Sequence, residues 1–254
     1  MTNRRFIVQA FVIQAAVLSR RGHRPREADD TNPRLCLFGH TWDSTVAHYK
    51  DQYECHVLTL AGFAGEPRIE APFLETVRKD LAAYIRENKM NKAVIVGHSL
   101  GGVMNPAATA ESVKTQAEQI RKMYNGPPTA QGGRGCRESD GHQSGRFRDD
   151  HGWSRKSDHV AMGNAIFEMM TTDLRGGLDN ITSPTLVLGT WIAYKQYATR
   201  EEVEKNFRTQ YAKVRSYDFV LFDEARHFVR LDDPDGFFQA VDRFLAVSFR
   251  SRAN

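Results

Sequence analysis

The residues whose types and order could do chemistry are Ser99 and His227. Ser99 lies in Gly97-His98-Ser99-Leu100-Gly101, directly after the apolar, β-branched run Ala93-Val94-Ile95-Val96. A strand that runs into Gly-x-Ser-x-Gly predicts a sharp strand-to-helix turn with the serine at its apex. Gly97 and Gly101 omit the side chains that would collide as the chain doubles back. Such a turn lifts the serine Oγ clear of the strand. The N–H of Leu100 then points to where an oxyanion would form. A serine hydroxyl needs a base to take its proton. His227 is the candidate: it follows the last strand-like run and precedes the last helix-like one, and the order serine then histidine suits such a site. His98, beside the serine, reads as a structural residue directed into the turn or sheet. The implied chemistry is nucleophilic attack on an acyl bond, with no metal and no organic cofactor.

The elements that must position these residues follow from periodicity. The chain has 254 residues, which suits one domain of this kind. Arg34–Phe38 reads as a short buried strand, and 41–50 as a helix with Trp42, Val46 and Tyr49 on one face. Glu54–Leu60 is a second strand, followed by the glycine-rich turn Ala61-Gly62-Phe63-Ala64-Gly65. Phe73–Asn88 is an amphipathic helix whose stripe is Phe73, Val77, Leu81, Tyr84 and Ile85. Strand, helix, strand, helix, strand and serine turn is the order of a parallel α/β sheet. Downstream, Val160–Met170 is an apolar helix that reads as part of a cap, with Met162, Met169 and Met170 as cap core rather than a cofactor box. Thr185–Gly189 is a strand, 200–214 a helix, Asp218–Phe222 the last strand and Asp235–Val247 the last helix. Trp191 and Tyr194, just past Gly189, either line an apolar pocket or pack against the cap.

Composition excludes other classes. The formal charge is +4, and the arginines cluster at both ends and between 121 and 156 without interleaved aromatics. That pattern reads as solvated segments rather than a nucleic-acid site. Cys36, Cys55 and Cys136 are an odd set without metal-ligand spacing, so neither a disulfide framework nor a metal site is expected. Phe6–Leu18 follows Arg4-Arg5 and is broken by Gln9 and Gln14. It is too short and polar to span a bilayer. It reads either as a signal-like segment or as a helix leading into a linker, and a cytoplasmic protein is favoured over an exported one. Gly126–Asp150 has almost no apolar residue and is expected to be disordered.

The turn at Ser99, the preceding strand and His227 resemble the α/β-hydrolase superfamily. Thr45–Val103, Asn105–Met123 and 153–246 resemble one bacterial group of it. The resemblance implies a mostly parallel sheet with flanking helices, a helical cap, and Ser-His hydrolysis of an ester or related acyl bond of a small molecule. It also implies that the residue after the first-strand glycine, here His40 in Phe38-Gly39-His40, supplies a second oxyanion N–H beside Leu100.

Two departures carry weight. The superfamily places an Asp or Glu after the strand equivalent to Thr185–Gly189, and Thr190–Tyr194 has none. Either an off-pattern acid such as Asp223 or Glu224 assists His227, or no acid remains. Between Ser99 and Pro184 there is no strand-like run, although the family has one behind the serine helix. The chain therefore reads as an internally truncated member. It divides into an N-terminal segment (1–32), a core (33–104 and 184–249) and a cap or insert (105–183). The alternative is a catalytically defective protein of that fold, with Thr185–Gly189 either beside Ala93–Val96 or separated from it by a gap.

Overall fold

A computed structural model of the chain describes residues 6–7, 14–20, 42–70, 72–98, 110–126, 156–226 and 228–250. The strands are β1 (Phe6–Ile7), β2 (Gln14–Arg20), β3 (Tyr53–Leu58), β4 (Val94–His98), β5 (Thr185–Thr190) and β6 (Tyr217–Phe222). The helices are α1 (Asp43–Tyr49), α2 (Phe73–Glu87), α3 (Ala110–Asn125), α4 (His159–Thr171), α5 (Arg200–Gln210), α6 (Val229–Asp232) and α7 (Pro234–Arg250). The expected strand Arg34–Phe38, the expected disorder within 127–150, Cys36 and Cys136 lie outside the described residues.

Helices layer around two sheets, in an α/β fold. One sheet has the order β1-β4-β2-β3, and the other pairs β5 with β6 in parallel. β4 shows why its sequence is an unbroken apolar run. Alternate residues of a strand face opposite sides. Val94 and Val96 face one core with Trp42, Tyr49, Phe237, Val241 and Phe244. Ala93 and Ile95 face another with Ile85 and Met90 at the end of α2. β5 and β6 divide in the same way. Leu186 and Phe222 join the core that holds Val94, while Val187 packs on Val203 and Phe207 of α5. The two sheets thus share one apolar layer made by α1 and α7. Asp242 of α7 fastens that layer: Oδ1 accepts from Tyr49 Oη at 2.8 Å, and Oδ2 lies 3.0 Å from His48 Nε2.

The N-terminal stretch differs from a helix. β2 runs antiparallel between β4 and β3, in registers such as Ala16↔Val96 and Val17↔His56. Bare backbone groups on β3 and β4 need hydrogen-bond partners. β2 satisfies both edges, a tertiary demand that overrides local preference. Among the described residues no strand lies between β4 and β5, and β5 pairs with β6 alone.

α3, polar by sequence, packs against α4, and its Val113 and Ala117 are buried. Gly163 of α4 lets them approach closely: a Cβ there would lie 3.0 Å from Tyr124 Cβ and 2.9 Å from Asn125 Oδ1. The Arg121 guanidinium covers the Phe167 ring at 4.1 Å. α4 is tied to α2 by Glu168. Its carboxylate accepts from Phe73 N–H at 2.8 Å and Leu74 N–H at 2.9 Å, two donors that a helix start leaves without partners. The charge also complements the positive end of the helix. Glu168→Ala should cost about 1–2 kcal/mol of stability, the usual loss for removing a helix cap. Glu168→Gln should cost less, because its amide oxygen still accepts. Urea denaturation of the three proteins measures both.

Candidate functional site

Ser99, Leu100, His40 and His227 all lie outside the described residues. The structure describes the residues that flank them. His98 ends β4 immediately before Ser99. Trp42 lies two residues after His40, and Arg226 and Phe228 bracket His227.

These flanks meet. The His98 ring stacks on the Phe228 ring, with centroids 4.6 Å apart and planes 29° apart. The Arg230 guanidinium lies 5.6 Å from the Phe228 centroid and 4.1 Å over the Trp42 ring. Trp42, Arg230, Phe228 and His98 therefore form one stack through three segments far apart in sequence. All but His98 are almost wholly buried; Arg230 is 3% exposed and Trp42 1%. Burial pushes the Arg230 guanidinium down to about 9, still charged at neutral pH.

The segment after β6 is held at several points. Ala225 is buried in the shared core, as is Val229. The Arg226 N–H donates to Asp232 Oδ2 at 2.9 Å. Nothing in the run from Arg226 to Arg230 signalled the buried cation. A lone arginine in a loop ordinarily reads as solvent-facing.

The carboxylates settle differently from one another. Asp223 Oδ1 accepts from Trp191 Nε1 at 2.8 Å and from Arg200 Nε at 2.5 Å. A residue after β6 thereby reaches the loop after β5, where the sequence itself offers no acid. The Arg200 hydrogen bond holds the Asp223 carboxyl below its ordinary range. Glu224 is exposed. Trp191 also packs with Tyr194 against the Val187–Phe207 cluster. It edges an open groove of about 650 Å³ that runs along Lys195–Glu202. The α5 end of this groove is already satisfied. Thr199 Oγ1 accepts from Glu202 N–H, and Glu202 Oε2 accepts from Thr199 N–H at 2.8 Å.

The glycine-rich turn after β3 sits against the start of α4. Gly62 has φ +83°, and any Cβ there would collide with Ala161. Its carbonyl accepts from Asp158 N–H at 2.8 Å, and Ala64 N–H donates to Ser157 Oγ at 2.9 Å. Phe63, Phe73 and Ala165 close an apolar cluster beneath, with Met162 at its edge. Met169 is buried as well.

Among the described residues no group of three or more His, Cys, Asp or Glu is arranged to hold a metal ion. Among them, too, no helix is long and apolar enough to cross a membrane.

The family model described as the alpha/beta hydrolase family matches residues 35–240. No curated protein sequence matches the chain. Its fold is similar to several solved structures. MenH from S. aureus has a TM-score of 0.60 at 14% identity, with 82% of this chain and 89% of that one covered. An esterase from Exiguobacterium antarcticum has a TM-score of 0.57 at 14% identity, covering 81% and 87%. The enol-lactonase from Burkholderia xenovorans LB400 has a TM-score of 0.52 at 15% identity, covering 81% and 86%.

The Asp223 contacts predict a titration. A carboxylate whose folded pKa is depressed stabilises the fold above its unfolded value, about 3.9, and that contribution fades as pH falls through the folded value. Both side chains are well exposed, so the effect on stability is small. Trp191 reports it instead. Its emission should hold steady from pH 7 to about 4 and change only below the usual carboxylate range. Asp223→Asn should abolish the acid step, which identifies it against Trp42 and Trp153.

Proposed function

The chain belongs to the alpha/beta hydrolase family, and we propose that within it the protein is a serine hydrolase of an ester or related acyl bond in a small molecule. The observation that carries this reading is the His98–Phe228 ring stack. Those residues are the chain neighbours of Ser99 and His227. The contact between these neighbours supports the reading that this serine is paired with this histidine. A base must come within roughly 2.6–3.2 Å of the hydroxyl it activates.

The roles follow from the chemistry. Ser99 Oγ attacks the acyl carbon while His227 takes its proton. The N–H of Leu100, with that of His40, stabilises the oxyanion. The intermediate collapses with loss of the alcohol, which receives the proton from His227. Water, deprotonated by His227, then releases the acid and restores Ser99. The α3–α4 pair serves as the cap over the site, and the core comprises 33–104 and 184–249. An esterase and an enol-lactonase among proteins of similar fold act on bonds of this class.

One observation favours a second reading, a catalytically defective member of the family shortened behind Ser99. Among the described residues β4 and β5 belong to separate sheets with no strand between them. Asp223, the off-pattern acid, is engaged by Arg200 and Trp191. Loss of the orienting acid alone lowers turnover by about 10⁴ while leaving a residual rate.

A fluorophosphonate probe separates the two. The serine-hydrolase reading expects labelling of the folded protein that Ser99→Ala abolishes. It also expects ester turnover to fall at least about 10³-fold in Ser99→Ala and His227→Ala. Folded wild-type protein that takes no label would rule the first reading out in favour of the second.

A further inference from the structure

We propose that Arg230 is a positioning residue for this site: its guanidinium, in contact with both Trp42 and Phe228, helps set the spacing of the three segments that carry His40, Ser99 and His227. The inference rests on the serine-hydrolase reading above.

The stack has a definite order. Trp42 opens the turn into α1 and takes Arg230 on its face at 4.1 Å. The Phe228 ring lies 5.6 Å from the same guanidinium and continues the contact to His98 at 4.6 Å. Each aromatic member is within two residues of a proposed site residue. Arg230 ties the segment that carries His227 to the one that carries His40, and Phe228 ties it to the one that carries Ser99.

An arginine suits this place for physical reasons. Its guanidinium is planar, stacks on aromatic faces and is less strongly hydrated than an ammonium. It is also costly there, because burying a cation carries a penalty that an apolar side chain of similar length avoids. Packing alone would be met by methionine or leucine. A buried cation against an aromatic face adds a directional attraction that an apolar side chain lacks. Misplacement by about 1 Å at a reacting centre can cost 10²-fold in rate. The stack thus acts through the backbone of its neighbours, and Arg230 itself touches no substrate.

The test uses the full-length protein with p-nitrophenyl acetate, and thermal denaturation alongside. Arg230→Met should lower kcat by about tenfold or more in protein that is still folded, with KM within about twofold. Arg230→Lys keeps a cation over the Trp42 face and should recover kcat to within about threefold of wild type. A purely structural arginine would leave the kcat of folded protein unchanged. Wild-type kcat in Arg230→Met, or equal losses in the Met and Lys variants, would overturn the proposal. Should Arg230→Met not fold, Phe228→Leu interrupts the same stack with an apolar residue. It should lower kcat, and Arg230→Lys added to it should cause no further loss. Independent, multiplying losses would count against a shared stack. The fluorophosphonate label distinguishes the failures. Unlabelled wild-type protein removes the serine-hydrolase reading itself. Labelled wild-type protein with an indifferent Arg230→Met removes only the role of Arg230.

Discussion

One apolar layer holds the two sheets of this protein together. Val94 and Val96 of β4 meet Leu186 of β5 and Phe222 of β6 across side chains of α1 and α7. Among the described residues the sheets share no strand pair. Burial of side chains therefore does the joining that a continuous hydrogen-bonded ladder would otherwise do. Apolar burial is non-directional and scales with area, at about 25 cal/mol per Å². It can bridge a discontinuity that a ladder, with its fixed spacing of about 4.8 Å between strands, cannot. The α7 residues Phe237, Val241, Phe244 and Leu245 are all nearly inaccessible, so this helix spans both sheets. Asp242, bound to His48 and Tyr49, fixes its rotation against α1.

The candidate site is built on the edge of that layer. Trp42 belongs to the shared core and is also the floor on which Arg230 lies. Val229 sits in the core between Phe228 and Arg230. The segment after β6 is thus anchored by apolar side chains, and its aromatic and cationic ones are held in a stack. Asp223 illustrates the opposite regime. Its partners are at the surface, where screening keeps such a pair weak. Yet it orients Trp191 at the rim of the groove.

Much of the scaffold was legible. β4 reads as buried on both faces because its run lacks polar alternation, and Ala93, Ile95 on one side and Val94, Val96 on the other bear that out. The stripe of α2, the apolar α4 and the final helix were equally plain, since one period repeats over many residues. β2 was not. Its partners are 53–58 and 94–98, and a short apolar run carries no mark of distant edges waiting for it. Glu168 was silent for the same reason: the donors it caps lie 95 and 94 positions away. Asp223 was noticed only as a candidate partner for His227. That Arg200 and Trp191 claim it depends on α5 and β6 ending side by side.

By itself, the sequence determined the local patterns: a glycine-flanked serine after a buried strand, a histidine between the last strand and helix, and the stripes that bury each element. These rest on spacing within one run of chain, so the run contains them. Only the tertiary structure decided that His98 meets Phe228, and that Arg230 lies over Trp42 rather than in water. A side chain's charge and length are written in its identity. Whether it is solvated or buried depends on what other segments bring to it, and here those segments come from opposite ends of the chain.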